Sequence, residues 1–347
     1  MNKNILIVVG ITILFLGTCI NPSVAIDNVK ESFLLLSNGN TLYVGGSGEG
    51  NYSKIQDAID NASEGDTVFV YDDSSPYYEH LIVNKSISLI GEDKETTVID
   101  GNKTGDVVYI WYYANWVNIS GFTIQNSGDN NSDSGINNRG CYSLIKDNII
   151  SQNQNGYRQY GGYKNIIRDN KFIDNIYRGI WVVFDEVSDF ERNYINGSVY
   201  GIALYDCKQS SIINNIILSC SEAGIFYTWS SHFNEGYEIS GNEINSNKYG
   251  ILAYGGSALL ISSNLISNNY EFGIFLGGSL FTKVIKNNFI DNKRSASFKN
   301  SKFIRWSGNY WDRPRLLPKL ILGKLGIFLL IPWVQFDWHP AKEPYDI

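Results

Sequence analysis

The sequence is poor in cysteine and in basic residues, and each shortage excludes a class of structure or partner. Of its four cysteines, one lies near the N-terminus, and the other three are Cys141, Cys207 and Cys220. An odd number excludes a fully paired disulfide framework. Its 28 Lys and Arg residues are outnumbered by 35 Asp and Glu, which gives a net charge of −7. Because so acidic a chain has no bulk attraction for phosphate backbones, we expect no nucleic-acid partner.

The N-terminus has the pattern of a secretory signal peptide. Lys3 precedes the apolar run ILIVVGITILFLG, and the small residues Ser-Val-Ala end at position 25. We predict a signal peptide over residues 1–25, an N-terminal leader over 26–41, and a secreted, extracellular or cell-surface location. An uncleaved anchor is the alternative, but the apolar core is short for a membrane span. We therefore expect no transmembrane span in the mature chain.

The rest of the chain has almost no helical periodicity and instead repeats one phrase every 22 to 27 residues. Asparagine marks the repeat, with glycine at its first position. These positions are Gly121, Asn148, Asn170, Asn193, Asn215, Asn242, Asn264, Asn287 and Asn309. A second series, the ladder glycines, consists of Gly135, Gly156, Gly179, Gly201, Gly224, Gly250 and Gly273. Self-similarity at this period is typical of a solenoid.

Each repeat consists of short β-type segments, such as NKFIDN and GIALYD, bounded by turn residues. The leucine-rich phrase LxxLxLxxN and the six-residue period of a left-handed β-helix are both absent. We therefore predict an all-β fold over residues 42–312, a single-stranded right-handed parallel β-helix of about ten coils. We expect each asparagine to adopt a left-handed turn conformation and to bond to the same amide one coil away.

A solenoid needs caps because its open ends would otherwise pair with other chains. Apolar residues recur at helical spacing in KIQDAIDNA, residues 54–62, which predicts an N-terminal capping helix. Residues 313–347 break the repeat, and we predict that this C-terminal tail packs on the solenoid. Its apolar core, Leu320–Val334, offers a membrane anchor as the alternative, but Gly, Lys and Pro interrupt it.

Counting from the ladder glycines sorts side chains by direction. The residue after each glycine should point inward, and the second and fourth should point outward. These outward positions carry rings and guanidinium groups, which we call the aromatic strip. It comprises Arg139, Arg158, Tyr160, Trp181, Tyr205, Phe226, Tyr254 and Phe275.

The aromatic strip is a candidate ligand-binding surface. Rings offer flat apolar surfaces to sugar rings, and arginine binds carboxylate or sulfate through paired hydrogen bonds. Seven coils give a strip roughly 29 Å long, enough for an oligosaccharide. We therefore predict polysaccharide or cell-surface glycan as the partner. The alternative is that the tail or another subunit covers this face.

The segments IQDAIDNASEGDTVFVYDD and NISGFTIQNS, with the N-x-I…GI coils after them, resemble secreted right-handed parallel β-helix repeat proteins. These include the NosD-type copper-binding family and the carbohydrate-binding proteins and sugar hydrolases of this fold. The terminal NYWDRPRLLPK and PWVQFDWHPAKEPYDI look like the endings of such proteins from methanogenic archaea. The resemblance implies an exported protein and, for its enzymes, acidic polysaccharide substrates. It does not assign an activity.

The chain departs from the functional signatures of that family. The galacturonase-type motifs are absent, and the nearest match to the Asp-Pro-His-Asp of alginate epimerases is DWHP at 337–340, outside the coils. Copper requires soft or imidazole ligands. The only methionine is Met1, and His80, His232 and His339 fall in unrelated parts of the repeat. We therefore predict no metal site and no cofactor, with copper binding as a remote alternative.

A lyase is the main alternative to a binding protein. Lyases of this fold place Ca²⁺-binding carboxylates and a basic residue on adjacent coils, so that calcium neutralises the substrate carboxylate and the base takes the adjacent proton. The candidate catalytic residues are Asp185, Asp189, Asp206 and Lys208, with Ca²⁺ as the cofactor that such a lyase would use. We expect Asp185 and Asp206 in one stack of loops. A solvated charged turn is the structural alternative.

The leading hypothesis is a secreted or cell-surface protein that binds polysaccharide or glycan, or that has a structural role at the surface. A lyase or hydrolase acting on acidic polysaccharide is the second. The missing catalytic signatures favour the first.

Overall fold

Three ladders of short parallel strands form the coils in the computed structural model, which describes residues 39–228, 237–326 and 331–347. In the repeated coils the chain visits each ladder once, and each strand pairs with the strands one coil before and one coil after. Strands are numbered β1 to β34 along the chain. The predicted signal peptide, residues 1–25, and most of the predicted leader lie outside the described residues.

The three ladders differ in strand length. The first contains β3 (Leu81–Val83), β6 (Val108–Ile110), β9 (Ser134–Asn138), β12 (Asn155–Tyr160), β15 (Arg178–Val183), β18 (Tyr200–Tyr205), β21 (Ala223–Thr228), β24 (Tyr249–Tyr254), β27 (Phe272–Gly277) and β30 (Ala296–Lys299). The second contains β1 (Thr41–Val44), β2 (Thr67–Val70), β4 (Ser88–Gly91), β7 (Asn118–Ser120), β10 (Leu144–Lys146), β13 (Ile166–Arg168), β16 (Asp189–Glu191), β19 (Ser211–Ile213), β22 (Glu238–Ser240), β25 (Leu260–Ser262), β28 (Lys283–Ile285) and β31 (Arg305–Ser307). The third contains β5 (Val98–Asp100), β8 (Thr123–Gln125), β11 (Ile149–Ser151), β14 (Lys171–Ile173), β17 (Tyr194–Asn196), β20 (Ile216–Leu218), β23 (Glu243–Asn245), β26 (Leu265–Ser267), β29 (Asn288–Ile290) and β32 (Tyr310–Trp311).

The prediction of an all-β parallel solenoid is confirmed, with about twelve turns rather than ten. The difference arises because the N-terminal turns, from β1 onward, lack the asparagine phrase by which coils were counted. The core consists of one inward apolar side chain or more from each ladder in every coil. Ile180, Phe190 and Ile195 supply them in one coil, and all three are fully buried.

The predicted asparagine ladder is a continuous column of buried amides. The backbone N–H and the Nδ2 of Asn193 both donate to Oδ1 of Asn215, at 2.9 and 3.0 Å. Nδ2 of Asn193 also donates to the Ile167 carbonyl at 2.8 Å, and its own Oδ1 accepts from Asn170 in the coil before. Each amide therefore joins neighbouring coils and satisfies backbone groups that the turn leaves unpaired.

The expectation that these asparagines themselves take the left-handed conformation is wrong. The left-handed residue is the one before each asparagine, such as Arg192 with φ 49° and Lys286 with φ 55°. Gly121, with φ 82°, belongs to that earlier position. Phe122 stands in the asparagine register, and its N–H donates to Oδ1 of Asn148 at 3.2 Å. The asparagine is therefore retained for its amide and not for its backbone freedom.

A second amide column lies at the turn between the third and first ladders. Asn269 lies one coil after Asn247, and its Oδ1 accepts a hydrogen bond from the backbone N–H of Asn247 at 3.0 Å. Cys220 interrupts the column, and its N–H donates to Oδ1 of Asn247 at 2.8 Å. Cys141, Cys207 and Cys220 are all free thiols. Burial raises the pKa of Cys220 to about 12, which makes it an inert filler.

The predicted capping helix closes the N-terminal end. Helix α1 (Ile55–Asn61) buries Ile55, Ala58 and Ile59 against the first turns. The carboxylate of Glu79 accepts from the N–H groups of Ile55 and Gln56 at 2.9 and 3.0 Å, so a side chain from the next turn caps the helix N-terminus. No helix in the described ranges is long and apolar enough to span a membrane.

The tail closes the other end as an antiparallel hairpin of β33 (Lys319–Leu325) and β34 (Ile331–Asp337). Strand β33 pairs with β30, with Gly323 opposite Phe298. Buried Asp337 ends the asparagine ladder, because its Oδ2 accepts from the N–H and Nδ2 of Asn309 at 3.0 and 3.1 Å and from Trp311 Nε1 at 3.0 Å. The predicted capping tail is confirmed, and a carboxylate in it takes the place of the next asparagine.

The carboxylate of Asp185 lies inside the solenoid, fully buried. Its Oδ1 accepts from Ser188 Oγ at 2.8 Å and from Gln159 Nε2, and its Oδ2 accepts from Ser210 Oγ at 2.9 Å. Burial raises its pKa to about 7, since these hydrogen bonds to the charged form only partly offset the loss of water.

Replacing Asn193 by alanine should lower the free energy of unfolding by about 3 kcal/mol, because at least two buried backbone groups lose partners at about 1–3 kcal/mol each. Urea unfolding followed by circular dichroism measures the loss. Asn196→Ala, at a half-buried position at the end of β17, is the matched control. Equal unfolding midpoints for both variants would contradict the role given to the asparagine ladder.

Asp185→Asn should change how stability depends on pH. Because the folded-state pKa of about 7 lies above the unfolded value of about 3.9, the folded chain holds an extra proton between these values. Stability is therefore lost as pH rises from about 4 through about 7, by about 4 kcal/mol. The asparagine variant should lack this fall. Urea unfolding at a series of pH values tests it against Asp174→Asn, an exposed carboxylate, and parallel curves for wild type and Asp185→Asn would refute the assignment.

Candidate functional site

The aromatic strip lies on the outward side of the first ladder. In β15 the inward residues Ile180 and Val182 are buried, and the outward residues Trp181 and Val183 are partly exposed. Tyr160 exposes 42% of its surface. One column of paired residues runs Asn137, Arg158, Trp181, Ala203, Phe226, Leu252, Phe275, and the other runs Tyr160, Val183, Tyr205, Thr228, Tyr254, Gly277. Arg139 stands over the ring of Tyr160, so all eight predicted residues share one face.

The predicted strip omits a third column, formed by the residue before each ladder glycine. This column contains Asn155, Arg178, Tyr200, Ala223, Tyr249 and Phe272. Phe272 packs 5.6 Å from Phe275, and Tyr200 packs 5.2 Å from Phe226. The sequence did carry a signal, since Tyr, Phe or Arg precedes glycine in YG, FG and RG. The strip is defined by positions after each ladder glycine, so this third column, which precedes the glycine, is not part of the prediction.

Ring contacts run along the strip without a break from Trp181 to Phe275. The ring centroids of Trp181 and Tyr205 are 6.4 Å apart, and those of Tyr205 and Phe226 are 5.5 Å apart. Phe226, Tyr254 and Phe275 follow at 6.4 and 6.0 Å. The surface is therefore a continuous row of half-exposed rings.

Three arginines stand at the N-terminal end of this row. The guanidinium carbon of Arg139 lies 4.7 Å from the Tyr160 ring, that of Arg158 lies 4.8 Å from Trp181, and that of Arg178 lies 4.1 Å from Trp181. Burial, together with repulsion from Arg139, lowers the pKa of Arg158. Across the described ranges, none of the three forms an ion pair with a carboxylate.

An open groove of about 480 Å³ lies where the arginines meet the rings. Its lining consists of Arg178, Trp181, Val183, Phe184, Tyr205, Asp206 and Thr228. Arg178 forms one wall and donates from Nη1 to Oδ1 of Asn155 at 3.1 Å. Cationic, aromatic and carboxylate groups therefore converge on one concave surface.

The tail residues that the structure describes leave the strip uncovered. Strand β33 pairs with β30, beyond Phe275 and therefore past the end of the strip, and the Leu322 carbonyl accepts from Ser297 Oγ at 2.8 Å. Tyr254, toward the C-terminal end of the strip, exposes 44% of its surface. The described tail therefore caps the end of the solenoid and does not cover the aromatic strip.

The four candidate catalytic residues do not form one cluster. Asp185 is inside the solenoid, opposite Cys207, while Asp206 is on the groove wall. The expected single stack of Asp185 and Asp206 is therefore wrong, because Asp206 is in register with Phe184, one residue before Asp185. Asp189 lies on the second ladder, where it accepts from Ser211 Oγ at 2.5 Å, and burial raises its pKa. Lys208 pairs with Glu186 at 2.8 Å.

The described side chains do not fit a copper site. Within the described ranges no three His, Cys, Asp or Glu residues are grouped so that they could hold a metal ion. Both ring nitrogens of His80 are already engaged, with the Asp106 carbonyl at 2.8 Å and Thr104 Oγ1 at 2.9 Å. Cys207 is buried, and burial raises its pKa to about 12, which disfavours the thiolate that copper prefers.

Comparison with known proteins gives two family matches. Residues 106–264 match the model of the right handed beta helix region, and residues 233–316 match that of the periplasmic copper-binding protein NosD. No curated protein matches the sequence.

Several solved structures share the fold at low sequence identity. The Dettilon tailspike protein has a TM-score of 0.60 and 13% identity, over 78% of this chain and 62% of its own. The A-module of Azotobacter vinelandii mannuronan C-5 epimerase AlgE6 has a TM-score of 0.51 and 14% identity, over 84% of this chain and 91% of its own. A Geobacillus virus E2 protein has a TM-score of 0.52 and 14% identity, over 89% and 66%. The chain therefore spans about two thirds of each viral protein.

These likenesses concern the fold alone, since every identity is below 25%. The family matches agree with the parallel coils, and the first of them indicates that the coils are right-handed. The chain is a right-handed β-helix repeat protein.

Proposed function

We propose that this protein is exported and binds an acidic polysaccharide along the aromatic strip, with the groove beside Arg178 as the principal subsite. The observation that carries the proposal is a row of half-exposed rings beside three guanidinium groups that have no ion-pair partner among the described residues. A polymer of uronic acids presents the matching chemistry, because each sugar has an apolar face and a carboxylate.

Burial and charge support this reading over a purely structural face. Nε of Arg158, Nε of Arg178 and the indole Nε1 of Trp181 lack hydrogen-bond partners in the described ranges. Leaving a buried donor unpaired costs about 1–3 kcal/mol, so a bound anion or sugar hydroxyl that recruits these groups gains that energy. The chain as a whole is acidic, so three clustered arginines on one face are a local departure from its charge.

The double variant Trp181→Ala/Tyr205→Ala should bind acidic polysaccharide about 30-fold more weakly, because two stacking rings are lost at about 1 kcal/mol each. Affinity electrophoresis in gels containing alginate or polygalacturonate measures the change. The matched control is Phe281→Ala/Phe303→Ala, since these rings expose 53% and 69% and lie outside the strip. Unchanged retardation of the Trp181/Tyr205 variant would refute the proposal.

A second arm separates charge recognition from stacking. Arg158→Gln/Arg178→Gln should weaken retardation in uronate polymers and leave any retardation in a neutral glucan unchanged, because only the former loses a charge-assisted hydrogen bond. Equal losses in both gels would assign the strip to neutral glycans instead.

A lyase is the second candidate, and the observation that favours it is Asp206 in the same groove as Arg178. In this alternative Arg178 holds the uronate carboxylate and Asp206 accepts the C5 proton. The C5–H electron pair forms the C4=C5 double bond, the C4–O bond to the neighbouring sugar breaks, and the departing oxygen takes a proton from water. Asp185 faces the interior, away from the groove that a substrate would occupy. Ca²⁺ belongs to this alternative only.

We expect binding without cleavage. Incubation with several uronate polymers, with and without Ca²⁺, should give no rise in the ultraviolet absorbance that an unsaturated uronate produces. A rise that Asp206→Asn abolishes, with binding retained, would establish the lyase in place of the binding protein.

A further inference from the structure

The terminal hairpin, formed by β33 (Lys319–Leu325) and β34 (Ile331–Asp337), exposes apolar side chains on both of its faces. Residues directly opposite in an antiparallel pair share a face. Leu322 and Val334 are such a pair, exposed by 63% and 41%. On the other face Ile331 and Trp333 are exposed by 56% and 51%.

The base of the terminal hairpin and the inner edge of β33 have partners in the described chain, because Gly323 and Lys324 also pair with β30. Ile321 is buried, Gln335 accepts from Trp306 Nε1 at 2.7 Å, and Asp337 ends the asparagine ladder. These contacts hold the base and the β33 edge on the last coil, while β34 pairs with β31 at Asp337 alone. The capping role therefore does not account for the apolar residues farther along it.

The charge of this segment is opposite to that of the rest of the chain. Residues 313–336 contain four of the 28 basic residues and none of the 35 acidic ones. The four are Arg313, Arg315, Lys319 and Lys324. Two tryptophans flank the hairpin's apolar surface, Trp333 and Trp338, and Trp338 is exposed by 63%.

We propose that the terminal hairpin docks the protein on an anionic lipid bilayer by inserting its apolar side chains at the interface. A second protein surface covers one face of a ribbon, whereas apolar groups on both faces are covered together only by a medium that surrounds it. Tryptophan and lysine are the residues that suit the boundary between headgroups and acyl chains. The positive charge of the segment attracts the acidic headgroups of the bilayer.

Insertion stops at the interface. A two-stranded ribbon leaves unpaired backbone groups along its free edge, and hydrocarbon cannot satisfy them. Burial of about 5–10 Å, within reach of water and headgroups, matches the mode of amphipathic surface segments. This docking is independent of the aromatic strip, which lies on earlier coils.

Flotation with vesicles tests the proposal. The purified protein should float with vesicles of phosphatidylcholine and phosphatidylglycerol, float much less with phosphatidylcholine alone, and be released by added salt. Leu322→Ser/Trp333→Ser should weaken partitioning at least about tenfold, because both faces lose apolar area. Arg315→Gln/Lys324→Gln should weaken it about fivefold per charge.

The matched control is Tyr78→Ser/Tyr113→Ser, two rings exposed by 68% and 70% at other places, which should leave flotation unchanged. All variants are prepared without the predicted signal peptide, residues 1–25, so its apolar run contributes to none of the measurements. Thermal unfolding verifies that each remains folded.

Absence of flotation with the anionic vesicles would overturn the proposal, as would full flotation of Leu322→Ser/Trp333→Ser. Sedimentation velocity identifies the competing occupant: an oligomer that this variant dissociates, together with no vesicle binding, would assign the hairpin to a second copy of the chain. Retardation in polysaccharide gels is measured on the same variants and should not change.

Discussion

The hydrogen bond between stacked asparagine amides is the constraint on which the other features depend. It joins each coil to the next at one position, and so every residue that follows is held in register with its counterpart. Because strand side chains alternate in direction, that register decides which residues form the core and which face outward. The carboxylate of Asp337 replaces the amide at the last position, so the column ends with its donors satisfied.

The same register explains what could be predicted from the sequence. The repeat from Asn148 to Asn309 predicts the fold class and the need for caps, because a period of about one coil is a property of the whole solenoid. The ladder glycines predict the direction of the strip residues. The repeat did not reveal that the left-handed residue precedes each asparagine. Gly121 matches the left-handed position before the asparagine, and Phe122 matches the asparagine itself. The hydrogen bond from the Phe122 N–H to Asn148 shows this register, which the spacing of glycine and asparagine does not.

The candidate site was predicted less completely, and for a related reason. Counting outward positions after the ladder glycine does not reach Arg178, which precedes that glycine, although in space it joins the arginines and the rings. Asp185 and Asp206 lie at similar distances from their ladder glycines, which predicts one stack, whereas an offset of one residue places Asp185 in the core. Contacts of this kind depend on single-residue register, which spacing alone does not resolve. The two faces of the terminal hairpin likewise depend on strand pairing, and an apolar run in the sequence does not show it.

A consequence of the asparagine column concerns how such a chain can change length. Each coil from Asn148 onward contains its own amide, and that amide bonds only within its own coil and to the two neighbouring coils, so a coil is a unit of growth. Duplication of one repeat within the gene inserts a turn whose amide continues the column, while the capping helix and the terminal hairpin stay as they are. Every added turn lengthens the outward row of side chains by about 4.8 Å. The reach of the exposed face can therefore evolve in whole steps without any redesign of the ends.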